Sequence, residues 1–99
     1  MDYIKYKDKE FPFVFGWAAF KEWHKSNENQ DELTLFEDGC YLGFKYGAKK
    51  EGQKIFKKEE MLDMFEDDSD FQEKTFSLFT EHLGKQKKIL EITGGKIPR

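Results

Sequence analysis

The sequence predicts a mainly α-helical α+β fold, in which an N-terminal β-hairpin is followed by a small bundle of about four helices. The first fifteen residues carry aromatic and β-branched side chains on either side of a polar turn, which is typical of a hairpin. Four later segments repeat apolar residues at helical spacing between polar or glycine-containing breaks. The length of 99 residues suits one domain, which we assign to residues 1–84, followed by a basic, flexible tail at residues 85–99.

The predicted hairpin pairs residues 3–6 with residues 11–15, and residues 7–10 form its turn. Pro12 has no N–H to donate to a neighbouring strand. The second strand is therefore expected to lie at a sheet edge or to begin near that residue. Gly16 ends the strand.

The first two helices are separated by a polar loop. Apolar residues at every third position predict a helix over residues 17–25, and residues 26–31 are entirely polar. Thr34 and Glu37 fit a capping box, so the second helix is expected to begin at Thr34. Gly47 is its expected end.

The last two helices follow a second polar loop at residues 48–54. A short third helix is predicted over residues 57–65. An acidic break leads to Ser69, which forms a second capping box with Gln72 and begins the fourth helix. Gly84 is expected to end that helix.

The composition predicts a folded, polar protein without disulfides. Charged residues make up 37% and aromatic residues 17% of the chain, and disordered chains are poor in aromatics. A lone cysteine, Cys40, cannot form an internal disulfide. The N-terminal segment has no apolar stretch of the kind found in signal peptides, and no apolar run approaches the roughly 20 residues of a membrane span. These features predict a cytosolic location away from membranes.

The motifs that could carry chemistry are each incomplete. His24 and His82 have no second ligand at helical spacing, and Cys40 lies on an apolar helix face, where we expect a small buried hydrophobe. Residues 47–54 lack the glycine-lysine order of a phosphate-binding loop, and the acidic residues 59–73 do not match a calcium-binding loop. We therefore predict no catalytic residue, no metal and no cofactor.

A basic segment suggests an alternative function as a small regulatory or nucleic-acid-associated protein. The net charge of −3 argues against nucleic-acid binding, because domains that neutralise phosphates are usually basic. A solvated rim is the ordinary explanation for such lysines. The segment contains Lys45, Lys49, Lys50, Lys54, Lys57 and Lys58.

The aromatic side chains exceed what four short helices usually need. Part of them is expected to line an apolar face for another chain. The second helix is the best candidate because it is apolar on two sides, and both sides need a cover. Self-association into a homo-oligomer is expected to help so small a core. The predicted protein-binding face comprises Phe36, Cys40, Tyr41, Phe44, Phe76 and Phe79.

The order of elements and a few short strings resemble one protein family, the small tail assembly chaperones of long-tailed bacteriophages and prophages. The resemblance spans residues 1–84. It departs from the family at the hairpin turn, residues 7–10, where glycine or asparagine is more frequent, and at the start of the third helix, where threonine is frequent. The strings are Phe13-Val14-Phe15-Gly16, Trp17-Ala18-Ala19-Phe20-Lys21-Glu22-Trp23, Cys40-Tyr41-Leu42-Gly43-Phe44-Lys45-Tyr46-Gly47 and Lys58-Glu59-Glu60-Met61-Leu62-Asp63-Met64-Phe65.

The resemblance implies a binding function in the cytoplasm of a bacterial host. Chaperones of this family are thought to coat apolar stretches of the tape measure protein before the tail tube forms, and to help recruit tail tube protein subunits. The family implies no metal, nucleotide or catalytic residue.

Overall fold

A two-stranded antiparallel hairpin opens the chain, and four helices follow it. The computed structural model describes residues 1–25 and 31–92. The predicted fold class, mainly helical with an N-terminal hairpin, is confirmed. The elements are β1 (Asp2–Tyr6), β2 (Lys9–Phe13), α1 (Trp17–Lys25), α2 (Glu32–Glu51), α3 (Lys58–Asp67) and α4 (Ser69–Ile92).

The hairpin turn is shorter than predicted. Tyr6 pairs with Lys9, so only Lys7 and Asp8 lie between the strands. Lys7 has a φ of 54° and is the one non-glycine residue with positive φ in the described ranges, as a tight hairpin turn requires. Pro12 lies opposite Tyr3, and both strands are edges of this two-stranded sheet, which fits its missing N–H.

The second helix begins earlier than its predicted capping box. Asp31 is the N-cap, and its carboxylate accepts a hydrogen bond from the Thr34 N–H at 2.8 Å and another from the Thr34 hydroxyl at 3.1 Å. Thr34 therefore donates to the cap instead of serving as one, and the predicted box with Glu37 is wrong. A carboxylate at this place also neutralises the positive end of the helix dipole.

The second helix also continues beyond Gly47, its predicted end. It stops at Gly52, which adopts the left-handed conformation with a φ of 66° and donates its N–H to the carbonyls of Ala48 and Lys49. Residues 48–51 are thus helical, and the predicted loop over residues 48–54 is wrong for them.

Three glycines of α2 allow neighbouring elements to pack closely against the helix. One of them is Gly47, the predicted helix end. They are four residues apart, so they lie on one side of the helix. A Cβ added at any of them would overlap a neighbouring element, so only glycine permits the observed approach. The contacts are Gly39 with the Phe79 ring, Gly43 with the Phe13 ring and Gly47 with the Pro12 carbonyl.

The third helix closely follows its predicted range, but the fourth helix has a different N-cap from the one predicted. The Oδ1 atom of Asp68 accepts hydrogen bonds from the N–H groups of Asp70, at 3.0 Å, and Phe71, at 3.2 Å. Asp68 therefore caps α4, and the predicted capping box of Ser69 with Gln72 is wrong. The aspartate is preferred because its carboxylate reaches two amides of the first turn.

The fourth helix continues past Gly84 to Ile92, so residues 85–92 are not a flexible tail. Gly84 has no neighbouring atom within 4 Å of a hypothetical Cβ and is a tolerated interior glycine. Gln86 is buried and Leu90 half-buried, which shows that this extension packs on the rest of the protein. Residues 93–99 of the predicted tail lie outside the described residues, as do residues 26–30 of the first polar loop.

The core is built mainly from aromatic rings that meet edge to face. Phe79 is fully buried and packs against Phe15, Trp23 and Phe36, with ring centroids 5.0, 5.7 and 4.9 Å apart. Such pairs place the positive edge of one ring on the negative face of another and add roughly 0.5–1.5 kcal/mol each beyond area burial. Phe79, on α4, thereby contacts the segment after β2, α1 and α2.

Candidate interaction surface

The predicted protein-binding face lies mostly inside the molecule. Cys40, Phe44 and Phe79 are fully buried, so they are not accessible to another chain in this fold. The reason is that the hairpin and α4 both cover the glycine side of α2, through contacts at Gly43 and Gly39. This part of the sequence prediction is corrected: the cover that α2 requires comes from its own chain.

The other three members of that face are half-buried. Phe36 meets Phe76 edge-on, with ring centroids 4.7 Å apart, and the Tyr41 hydroxyl donates a hydrogen bond to the Phe56 carbonyl at 2.9 Å. These residues retain partial exposure while making intramolecular contacts.

The most exposed large apolar side chain in the described ranges is Leu33, which is 79% exposed in the first turn of α2. Ile89 near the end of α4 is 43% exposed. The two helices run antiparallel, because Phe36 contacts Phe79 whereas Phe44 contacts Phe71 further back in α4. Leu33 and Ile89 therefore lie towards the same end of the helix pair, and Phe36 lies one turn after Leu33 on α2; we call this region the Leu33–Ile89 end.

His82 has a function in the fold that its sequence neighbours did not reveal. Its Nδ1 accepts a hydrogen bond from the Phe15 N–H at 3.0 Å, and its Nε2 lies 2.8 Å from Asp2 Oδ2. Because Nδ1 uses its lone pair for the amide, Nε2 carries the proton and donates it to Asp2. The buried imidazole thus attaches the start of β1 and the segment after β2 to α4.

The same place brings together metal-ligating groups. Ligand atoms of Asp2, Glu81 and His82 lie within 4.8 Å of one another, and the described ranges contain no second such group. A metal on Nε2 would need a free lone pair there, yet the proton must stay on Nε2 while Nδ1 accepts the Phe15 amide. Metal binding would therefore break the buried hydrogen bond from the Phe15 N–H. The arrangement fits a structural hydrogen-bond network between the hairpin and α4 instead.

Comparison of the chain with protein-family models, with curated proteins and with solved structures finds no match.

The basic segment is not a single loop with free lysines. Lys45 lies on α2 and pairs with Glu22 at 3.0 Å, and Lys58 pairs with Asp38. Lys49 lies one turn after Lys45 on the same helix face. Two of the six lysines are thus neutralised by acids of the same chain, which weakens the electrostatic case for a phosphate-binding patch.

Glu22 connects α1 to the middle of α2. Its carboxylate accepts hydrogen bonds from the Tyr46 hydroxyl, at 2.7 Å, and from the Lys45 ammonium. These contacts, the tyrosine hydrogen bond first, lower the pKa of the Glu22 carboxyl, and the same bond raises the pKa of Tyr46. The pair is therefore a pH-sensitive contact between the two helices.

Cys40 is a small buried hydrophobe, as expected. Its side chain is fully buried, and burial raises the pKa of the thiol well above its ordinary value. A protonated thiol is a poor nucleophile and a poor metal ligand.

Across the described ranges, no helix combines the length and the hydropathy that membrane crossing requires.

Proposed function

We propose that this chain is a non-enzymatic tail assembly chaperone of a bacteriophage or prophage. It acts in the cytoplasm of the bacterial host, where it binds apolar segments of the tape measure protein and helps to recruit tail tube subunits. The observation that carries this proposal is the resemblance of its element order and short strings to that family over residues 1–84.

The places of two of those strings in the fold support the proposal. Phe13 and Val14 belong to the first string, and Gly43 and Gly47 belong to the string in α2. The Val14 N–H donates to the Gly43 carbonyl at 3.0 Å, the Phe13 ring lies on Gly43, and the strand backbone lies on Gly47. The strings thus attach the hairpin to α2, so the resemblance concerns residues that decide the architecture.

The surface proposed to receive an apolar segment is the Leu33–Ile89 end. An exposed leucine and an exposed isoleucine, with the half-buried Phe36 one turn after the leucine, offer an apolar contact without unfolding the core. Self-association through the same surface is a competing use of it.

A co-expression experiment tests this proposal. The full chain is co-expressed with overlapping long helical segments of the tape measure protein and captured through an affinity tag. Wild type is expected to retain at least one apolar segment, and the Leu33→Asn and Ile89→Asn variants are expected to retain less. Lys50→Asn, an exposed change near the other end of α2, is the matched control and should bind as wild type does.

Two results would contradict the proposal. One is the failure of every tape measure segment to bind wild type. The other is salt-sensitive binding of the protein to DNA or RNA, reduced by substitution of Lys49 and Lys50, which would favour the alternative nucleic-acid-associated function. Sedimentation of the captured complex reports whether the chain binds as a monomer or a homo-oligomer.

A further inference from the structure

The outer edge of β1 carries backbone groups that no other element among residues 1–25 and 31–92 uses. Their direction follows from β2: the Pro12 carbonyl faces Gly47 of α2, and the Val14 N–H donates to the Gly43 carbonyl. Alternate residues of β2 therefore point their backbone groups towards α2 and away from β1. Residues opposite each other in an antiparallel pair both point inwards or both outwards.

Tyr3 and Lys5 consequently point their N–H and C=O groups away from the hairpin. Tyr3 lies opposite Pro12, and Lys5 lies opposite Glu10, the residue two positions before Pro12. Within the described ranges, no group outside the hairpin makes a hydrogen bond with the backbone of Tyr3 or Lys5. Two residues of one strand, about 6.8 Å apart, thus offer the repeating pattern that an added strand uses.

A groove of about 460 Å³ runs along this edge between β1 and α4. The exposed Tyr3 and the half-buried Leu78 supply apolar surface above the buried Ile4, and Ser77 is small enough to leave the groove open. The α4 side of the groove carries two exposed acidic side chains, Asp70 and Glu73, and one basic side chain, Lys74. The groove is therefore partly apolar and mildly acidic. It lies beside the outward N–H and C=O groups of β1.

We propose that this edge binds an extended segment of another polypeptide as a third strand. Its small or β-branched side chains would face the apolar surface, and a basic side chain would face Asp70 and Glu73. Pairing between two copies of β1 is disfavoured, because the edge carries the exposed Lys5, and a lysine on an edge strand discourages pairing between sheet edges. The inference rests on the proposed role as a binding protein, and not on the identity of the partner.

A peptide titration tests the inference on the full chain labelled with ¹⁵N. The probe is a capped seven-residue peptide in which valine and threonine alternate between lysine ends. Binding should slow amide hydrogen exchange at Tyr3 and Lys5 roughly tenfold, and leave Ile4 and Tyr6, which already pair within the hairpin, unchanged. The same peptide with N-methyl groups on alternate amides should not bind.

A pair of variants tests the backbone contact directly. Lys5→Pro removes the outward N–H without removing a hydrogen bond between β1 and β2, whereas Lys5→Val keeps that N–H. The proline variant should bind the peptide roughly five- to tenfold more weakly than the valine variant. If Lys5→Pro does not fold, Ser77→Tyr serves instead, since its side chain would fill the groove from α4.

Three results would overturn the inference: no peptide binding at about 1 mM, binding without protection of Tyr3 and Lys5, or equal affinity in the Lys5→Pro and Lys5→Val variants. Capture of tape measure segments separates it from the proposed function. Tape binding without peptide binding contradicts the edge inference alone, and peptide binding without tape binding contradicts the chaperone function alone.

Discussion

The ring of Phe13 fills the space beside Gly43 that the Cβ of any other residue would need. Phe13 is fully buried and also packs edge-on against Phe44, with ring centroids 5.1 Å apart. The hairpin can lie this close to α2 only because the helix has no side chain at that point. A phenylalanine in the strand and a glycine in the helix are thus one packing unit.

The Gly43→Ala variant should be less stable than wild type. Overpacking a closed contact costs about 1–3 kcal/mol, which exceeds the gain in helix propensity of at most about 1 kcal/mol. Urea unfolding measures the difference. Gly84→Ala is the matched control: it lies inside α4 in open space and should increase stability by about 0.5–1 kcal/mol. Equal effects at the two sites would contradict the packing argument.

The His82→Ala variant should lose the attachment of the hairpin to α4. It leaves the Phe15 N–H buried without its acceptor, which costs about 1–3 kcal/mol, and it also removes a buried ring. Asp2→Ala should cost less, because the aspartate side chain is half exposed and water can replace it. Thermal unfolding of both variants checks this order, and a larger loss in Asp2→Ala would refute it.

Cys40 should resist alkylation in the folded protein. Burial raises the pKa of its thiol and blocks access, and the thiolate is the reactive form. Treatment with iodoacetamide near pH 8, followed by mass spectrometry, should show modification only after denaturant is added. Rapid labelling of native protein would mean that α2 opens frequently.

The Tyr46→Phe variant should weaken stability at neutral pH more than at acid pH. Hydrogen bonding lowers the folded-state pKa of Glu22, so the contact stabilises the protein above the ordinary glutamate pKa and is lost as pH falls through the lowered value. The difference from wild type at pH 7 should stay below about 1 kcal/mol, because the Glu22 side chain is partly exposed to screening water.

The Tyr41→Phe variant is the control for this pH dependence. Its hydroxyl donates to the carbonyl of Phe56, which does not titrate. The stability lost in Tyr41→Phe should therefore be the same at pH 7 and at a pH below the lowered pKa of Glu22, as measured by urea unfolding. A constant loss in Tyr46→Phe as well would show that Glu22 is not the titrating partner.

The sequence predicted the type and order of every described element because apolar spacing reports directly on helix and strand. It failed at helix ends where tertiary contacts decide. Gly47 resembles a helix terminator, yet it remains helical because the Pro12 backbone needs the space. Gly84 likewise remains helical, since the chain beyond it still buries Gln86.

The candidate interaction surface was harder to predict than the fold for a related reason. Apolar spacing shows that α2 must be covered on two sides, but not which chain covers it. The partners of His82 are 67 and 80 residues away in sequence, so no local motif could reveal them. The edge of β1 was equally hidden, because it depends on which way the backbone of β2 faces.

The hydrogen bond between Asp2 and His82 has a consequence for synthesis on the ribosome. A growing chain emerges from its N-terminus, so the hairpin is complete long before residue 82 has been translated. Until α4 emerges, Phe13 and Phe15 lack the partners that bury them from that side. The hairpin can therefore acquire its final packing only after α4 has been translated, and until then these two rings lack the neighbours that cover them in the folded protein.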